Sequence, residues 1–153
     1  MDAADDGTTV DRSADGEGRE SGREERGREE RCREERGREV RGREERGLEA
    51  VERYYASIDA HDYERLASLL APTFVHYRPD RTLDGRETFV TFMREDRPMT
   101  ETTHEIEAIY PNGPGVAAQG RLLDAAGEEL FAFVDVFSVD DDGRLETLCT
   151  YTS

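Results

Sequence analysis

Residues 48–62, LEAVERYYASIDAHD, set Leu48, Val51, Tyr54, Tyr55 and Ile58 at helical spacing, so the segment predicts an amphipathic helix with one buried face that ends at His61 and Asp62. Asp62 is placed to cap a second short helix, YERLASLLA, whose stripe is Leu66, Leu69 and Leu70 and whose stop is Pro72. Thr73 to Arg78 alternates as a strand, 79–85 (PDRTLDG) carries turn residues, and 86–94 puts Phe89, Phe92 and Met93 on one side of a third helix.

After residue 102 the period changes to two. THEIEAIY, GVAAQGRLLD, ELFAFVDVFSV and RLETLCTYT read as four antiparallel strands, separated by PNGPG, DAAGE and DDDG, whose Gly, Pro, Asn and Asp suit tight turns. Helices first and a meander afterwards predict an α+β fold: a curved antiparallel sheet wrapped around the N-terminal helices, forming a cone with a cavity at its centre.

Upstream of Leu48 the chain changes character. From Gly22 to Gly47 it repeats a five-residue unit, GREER, with Cys32 in place of one Gly, and no apolar position recurs that could be buried. Four Glu-to-Arg pairs, 24/28, 29/33, 34/38 and 39/43, favour helix, while the periodic Gly opposes it by about 1 kcal/mol each. Residues 1–47 are therefore expected to be a tail, disordered over 1–21 and marginally helical in the repeat, with the domain at 48–153. Arg and Glu nearly cancel in the repeat, which removes most of the drive to bind RNA and leaves a spacer as the reading of this tail.

The net charge is −16, and acidic residues exceed basic ones by 4 before Leu48 and by 12 from there on. This field argues against nucleic acid and against an anionic membrane as partners of the domain. All 21 basic residues are Arg, and with the acid excess the balance resembles proteins from the salt-rich cytoplasm of halophilic archaea, so the domain is expected to loosen as salt is withdrawn. Cys32 and Cys149 show no paired spacing, and no export signal or membrane-length apolar run occurs, so a cytoplasmic chain is expected. Asp140, Asp141, Asp142 and Gly143 lack the spaced ligands of a calcium loop and read as a hairpin turn, and no nucleotide-binding or serine-hydrolase motif occurs. No metal or cofactor is expected.

Asp135 interrupts the apolar run 131–137 and, by alternation, shares a face with Phe131, Phe133 and Phe137. A carboxyl buried there needs a proton or a partner, either a backbone amide or Arg78. His76 and Arg78, two apart on the first strand, should point the same way. His61 and His104 sit at element ends, where capping or a surface role is the default, with an inward-facing His104 as the open alternative.

The stretch 51–95, from VERYYASIDAHD to TFMRE, with FAFVDVFSV and LETLCTYT later, resembles the SnoaL-like branch of the nuclear transport factor 2-like superfamily. The resemblance covers Leu48 to Ser153 and implies a pocketed domain whose relatives include ketosteroid isomerase, polyketide cyclases, dehydratases and non-catalytic binding proteins. Ketosteroid isomerase pairs a Tyr and a protonated Asp as an oxyanion hole with a second Asp as base. The resemblance puts Tyr54 at the tyrosine and Asp135 at the protonated acid, and Arg78 where the base should be. His76 is then the candidate replacement base, Arg78 a candidate anchor for an anionic group, and Phe89, Phe92, Met93, Phe131, Phe133 and Phe137 the candidate pocket wall. Two functions follow as alternatives. One is a cofactor-independent isomerase, cyclase or dehydratase acting on a small apolar carbonyl compound. The other is a non-catalytic dimeric ligand-binding or interaction module, with Arg78 bridged to Asp135 and little free volume.

Overall fold

The apolar face of residues 47–58 decides where the other elements sit. The computed structural model describes residues 2–153, with the side chains of residues 30–39 and 41–153. Helix α1 is Asp2–Asp59, and the chain divides within it into two units, residues 1–39 and 40–153. In the first unit, Glu34 and Arg38 form one of the expected ion pairs, at 3.7 Å. The side chains of Glu24, Arg28 and Glu29, and with them the pairings expected from Glu24 to Arg28 and from Glu29 to Arg33, lie outside those described.

In the second unit α1 buries Ala50, Val51, Tyr54, Tyr55 and Ile58 against the sheet. Burying large side chains of this kind is worth about 1.5–3 kcal/mol each. Contact with the sheet begins before Leu48. Arg43 pairs with Asp141 at 3.3 Å, and Glu44 accepts a hydrogen bond from the Gly113 amide at 3.0 Å. Gly47 is buried where helix and sheet come closest: a Cβ there would stand 3.1 Å from Val116 Cγ2. The Gly that closes the repeat is thus a packing residue.

Helix α1 ends as His61 enters the left-handed region, with φ 57°, and Asp62 then accepts from the Arg65 amide at 3.2 Å to cap α2, Tyr63–Leu69. Strand β1, Leu70–Tyr77, starts earlier than Pro72 suggests, because Leu70 and Ala71 bury extended backbone beside the core. The segment 79–85, which reads as a turn, contains a three-residue strand β2, Thr82–Asp84, held antiparallel to β1. Helix α3, Arg86–Thr91, continues into a π-helical turn, Phe92–Asp96, which the Arg97 amide closes on the Phe92 carbonyl at 2.9 Å.

Strands β3 (Thr103–Asn112), β4 (Gly115–Leu123), β5 (Glu129–Val139) and β6 (Leu145–Thr152) form the expected antiparallel meander. The sheet order is β2-β1-β6-β5-β4-β3, and β1 joins β6 in parallel. That long-range parallel pair is the part of the topology that period-two patterning does not contain. The hairpin turns follow their side chains: Asp124 Oδ1 accepts from the Ala126 and Glu128 amides, and Asp140 Oδ1 from the Asp142 and Arg144 amides.

The register of β3 on β4 slips between Ile106 and Ala108, a bulge that bends the strand. Gly120 lies opposite Ile106 at this point, and a Cβ on it would stand 2.4 Å from the Glu105 carbonyl oxygen. Only a residue without a side chain lets the two backbones approach so closely. We therefore expect Gly120→Ala to cost about 1–3 kcal/mol in urea unfolding, the usual cost of overpacking. Gly115→Ala, where the nearest atom would lie at an ordinary 3.5 Å, is the matched control and should change the midpoint far less.

Candidate functional site

A cavity of about 220 Å³ opens inside the curve of the sheet. Its polar wall includes Tyr54, His76, Arg78, Arg97, His104, Asp135 and Thr150, and its apolar wall includes Ile58, Met93, Phe131 and Phe133. Helix α1, strands β1, β3 and β5, and the segment after the π-turn each contribute, so the site exists only when the sheet has curved.

Asp135 sits on β5 at 6% exposure, facing inward with Phe133 and Phe137. It is satisfied from two sides. Tyr55 donates its hydroxyl to Oδ2 at 2.6 Å, and Thr150, its cross-strand neighbour on β6, donates to Oδ1 at 2.6 Å. Burial pushes the Asp135 carboxyl above its ordinary range, and the two hydroxyls pull against that rise. The expected partner Arg78 goes elsewhere: its Nε meets Asp80 Oδ1 at 3.4 Å, and its guanidinium lies 5.1 Å from the centre of the Phe92 ring. Neither a backbone amide nor Arg78 satisfies Asp135.

His76 completes the chain of bonds. Its Nε2 lies 2.8 Å from Thr150 Oγ1, and because that hydroxyl gives its own proton to Asp135, Nε2 must be the donor. Nδ1 is buried with no hydrogen-bond partner. Burial first, and then the charge of Arg78, lower the His76 pKa from 6.5 to about 3. A ring held neutral with its Nε2 proton committed to Thr150 is a poor proton acceptor at that atom.

The two adjacent tyrosines divide their tasks. Tyr54, and not Tyr55, lines the cavity. Its ring packs edge-on against Phe137 at 5.2 Å and stacks on Phe89 at 6.2 Å. Burial and the charge of Asp135 hold the Tyr54 hydroxyl protonated, well above its ordinary range, against the opposing pull of Arg78 and Arg97. Of the residues expected on the wall, Met93, Phe131, Phe133 and Arg78 are there. Phe89 and Phe137 pack in the core, and Phe92 lies beneath the guanidiniums of Arg78 and Arg81.

Of the two alternatives left open for His104, surface or inward, the structure has it lining the cavity. Its Nδ1 lies 2.6 Å from Asp59 Oδ1, and its backbone amide donates to the same carboxylate at 3.1 Å. The ring packs on Tyr55 and Phe133, with centroids 5.0 and 5.9 Å away. His104 lines the cavity, and in a neutral ring that gives Nδ1–H to Asp59 the lone pair lies on Nε2. His61 lies outside this group and meets the Thr100 carbonyl at 2.7 Å. The alternation of β3, with Glu105 and Glu107 outward, could have revealed that His104 faces inward with Ile106. The (i, i+4) spacing of Tyr55 and Asp59 likewise puts both on one helix face.

A family profile described as the SnoaL-like domain matches residues 51–147. The chain belongs to the SnoaL-like domain family. Solved structures of this fold agree. A proposed isomerase of the SnoaL-like family from Agrobacterium tumefaciens is 17% identical, with a TM-score of 0.63 over 71% of this chain and 97% of its own. A proposed ketosteroid isomerase from Kribbella flavida is 21% identical, with a TM-score of 0.63 over 71% and 78%. An NTF2-like protein of unknown function from Mesorhizobium loti is 22% identical, with a TM-score of 0.63 over 72% and 93%. At these identities the likeness is one of fold. None of the curated proteins compared with the chain matches it. Among the described residues of this SnoaL-like domain no helix is long and apolar enough to cross a membrane.

The buried neutral His76 sets an acid limit on stability. Its folded pKa of about 3 lies below its ordinary 6.5, so the unfolded chain binds the extra proton between those values and stability falls as pH drops through that window. His76→Gln, which offers an amide N–H in place of Nε2–H, should flatten this part of the curve of melting temperature against pH. An unchanged slope between those two pH values would show that His76 is not the group responsible.

Proposed function

We propose that this SnoaL-like domain is a cofactor-independent enzyme that moves a proton on a small carbonyl compound held in the cavity, as in an isomerisation, cyclisation or dehydration. The observation that carries the reading is the Asp59–His104 pair beside a protonated tyrosine in one cavity. In this reading His104 Nε2 takes a proton from the carbon next to the carbonyl, Tyr54 donates its hydroxyl to the oxygen that gains charge, and His104 returns the proton at the product position. Asp59 holds the ring in the tautomer that leaves Nε2 free and stabilises the imidazolium while it exists. The base that the resemblance could not supply at Arg78, and that the sequence assigned to His76, thus moves to His104.

Asp135 takes a different part from the protonated acid of ketosteroid isomerase. With both oxygens engaged by Tyr55 and Thr150, it positions helix and strand around the cavity rather than donating to substrate. The names of fold neighbours as proposed isomerases and polyketide cyclases support the same class of chemistry. The acid excess supports a salt-adapted, cytoplasmic protein, and the charge balance of residues 1–47 supports a spacer.

The outer sheet face supports a homodimer. Tyr110, Ala117, Val136, Cys149 and Tyr77 lie in one register row across five strands, and Tyr110, Val136 and Tyr77 are exposed, as are the neighbouring Val134 and Tyr151. A second copy would cover this row. Sedimentation should give the mass of two chains for the wild type and of one for Val136→Arg. A monomeric wild type would remove the dimer.

The enzymatic reading is tested by following exchange of α-protons in D2O by NMR across a panel of small cyclic and aryl ketones. Exchange above buffer is expected for the wild type, with His104→Gln and Tyr54→Phe slower by about a hundredfold or more, Asp59→Asn impaired as well, and all three folded. A panel without any enzyme-dependent exchange, or variants as fast as the wild type, would leave only a non-catalytic binding module.

A further inference from the structure

The charges on the cavity wall do not balance. Its lining includes two guanidiniums, Arg78 and Arg97, and a single carboxylate, Asp135. Asp135 already spends both oxygens on Tyr55 and Thr150. This occurs in a chain with 37 acidic and 21 basic residues, where an arginine easily finds an acid: Arg121 meets Glu105, Glu107 and Glu129 together.

Arg97 is the less satisfied of the two. Among the described residues no carboxylate lies within ion-pair distance of it. Its Nη2 donates only to the Tyr63 hydroxyl at 3.3 Å and the Thr100 carbonyl at 3.5 Å, and its Nε is buried with no partner. Its position is nevertheless built with care. The π-helical turn ends in a bond from the Arg97 amide to the Phe92 carbonyl, and Pro98 confines Arg97 to extended backbone, with ψ 139°. Extra residues in a π-turn often mark functional positions. Arg78 follows directly on β1 and is held by the Phe92 ring at 5.1 Å and by Asp80 at its Nε, and among the described residues no bond to its Nη groups is found. Both guanidiniums line the same cavity as Tyr54, and the charge of each pulls the Tyr54 pKa down against burial.

We propose that Arg97 and Arg78 form an anion subsite, so that the compound held in the cavity carries a carboxylate in addition to its carbonyl. A guanidinium presents parallel N–H groups that match a planar carboxylate, and in a partly desolvated wall such a charge-assisted pair both orients and selects. The carboxylate replaces the counter-charge that the protein itself withholds from Arg97. The proposal rests on the reading of the cavity as a ligand site, and it narrows the ligand from an apolar carbonyl compound to a small oxo acid or aryl acid.

The test uses matched pairs: benzoate, phenylacetate and benzoylformate against their primary amides, titrated calorimetrically into the full chain at constant ionic strength. The acids are expected to bind at least about tenfold more tightly than the amides. Arg97→Gln and Arg78→Gln should each weaken the acids by about tenfold and the amides by much less. Arg97→Lys, which keeps the charge and loses the fork, should fall between, and serves if the glutamine variant does not fold. Amides that bind as well as the acids, or an Arg97→Gln protein that binds acids like the wild type, would overturn the anion subsite and leave the ligand cavity standing. Binding of neither set would overturn both.

Discussion

The hydrogen bond between Tyr55 and Asp135 fixes the rest of the arrangement. A carboxyl in the middle of an apolar strand must be satisfied or the sheet cannot bury that face, and here half of the satisfaction comes from a helix 80 residues earlier. Once Tyr55 is pinned to β5, the rotation of α1 about its axis is set. Tyr54 must then face the cavity, and Asp59, one turn beyond Tyr55, must come down on β3, where it meets His104. A single buried acid therefore determines which tyrosine packs, which tyrosine can touch a ligand and which histidine acquires a carboxylate.

The second half of that satisfaction links two more elements. Thr150 gives its proton to Asp135 and takes one from His76, so β5, β6 and β1 are joined through side chains as well as through their backbones. The sequence of donors is one-directional, and each member's protonation is dictated by the next. This polar line lies beside an aromatic core of Phe74, Phe89, Phe133 and Phe137, where unpaired groups would be costly. Tyr54, His104 and the two arginines border the cavity together with the members of this line.

Much of this was legible in the residues, and the exceptions have physical causes. Leu48 to Ile58 announced the helix by its period, Asp62 announced its role as a cap, and Asp135 stood out because it breaks an apolar run. Helical spacing alone gives Tyr54 and Tyr55 the same inward direction; the resemblance picked out Tyr54, which lines the cavity, while Tyr55 bonds Asp135. Phe89, Phe92 and Phe137 read as pocket residues because a hydrophobic pattern marks burial, and burial alone does not separate a core from a cavity wall. Strand β2 was hidden inside residues chosen for turning. Arg97 carries no local signal at all: its place follows from the π-turn before it and the proline after it.

The parallel pairing of β1 with β6 has a kinetic consequence. His76 and Thr150 are separated by 74 positions along the chain, so pairing their strands closes a long loop that contains β2 to β5. Contacts of such sequence separation form late and slowly compared with hairpins and helices. The Thr150–Asp135 bond lies within the β5–β6 hairpin of the meander, whereas the His76–Thr150 bond needs the long-range β1–β6 pairing as well. A partly folded chain would therefore hold much of the sheet while still having Asp135 half-satisfied, and formation of the site would coincide with completion of the native state.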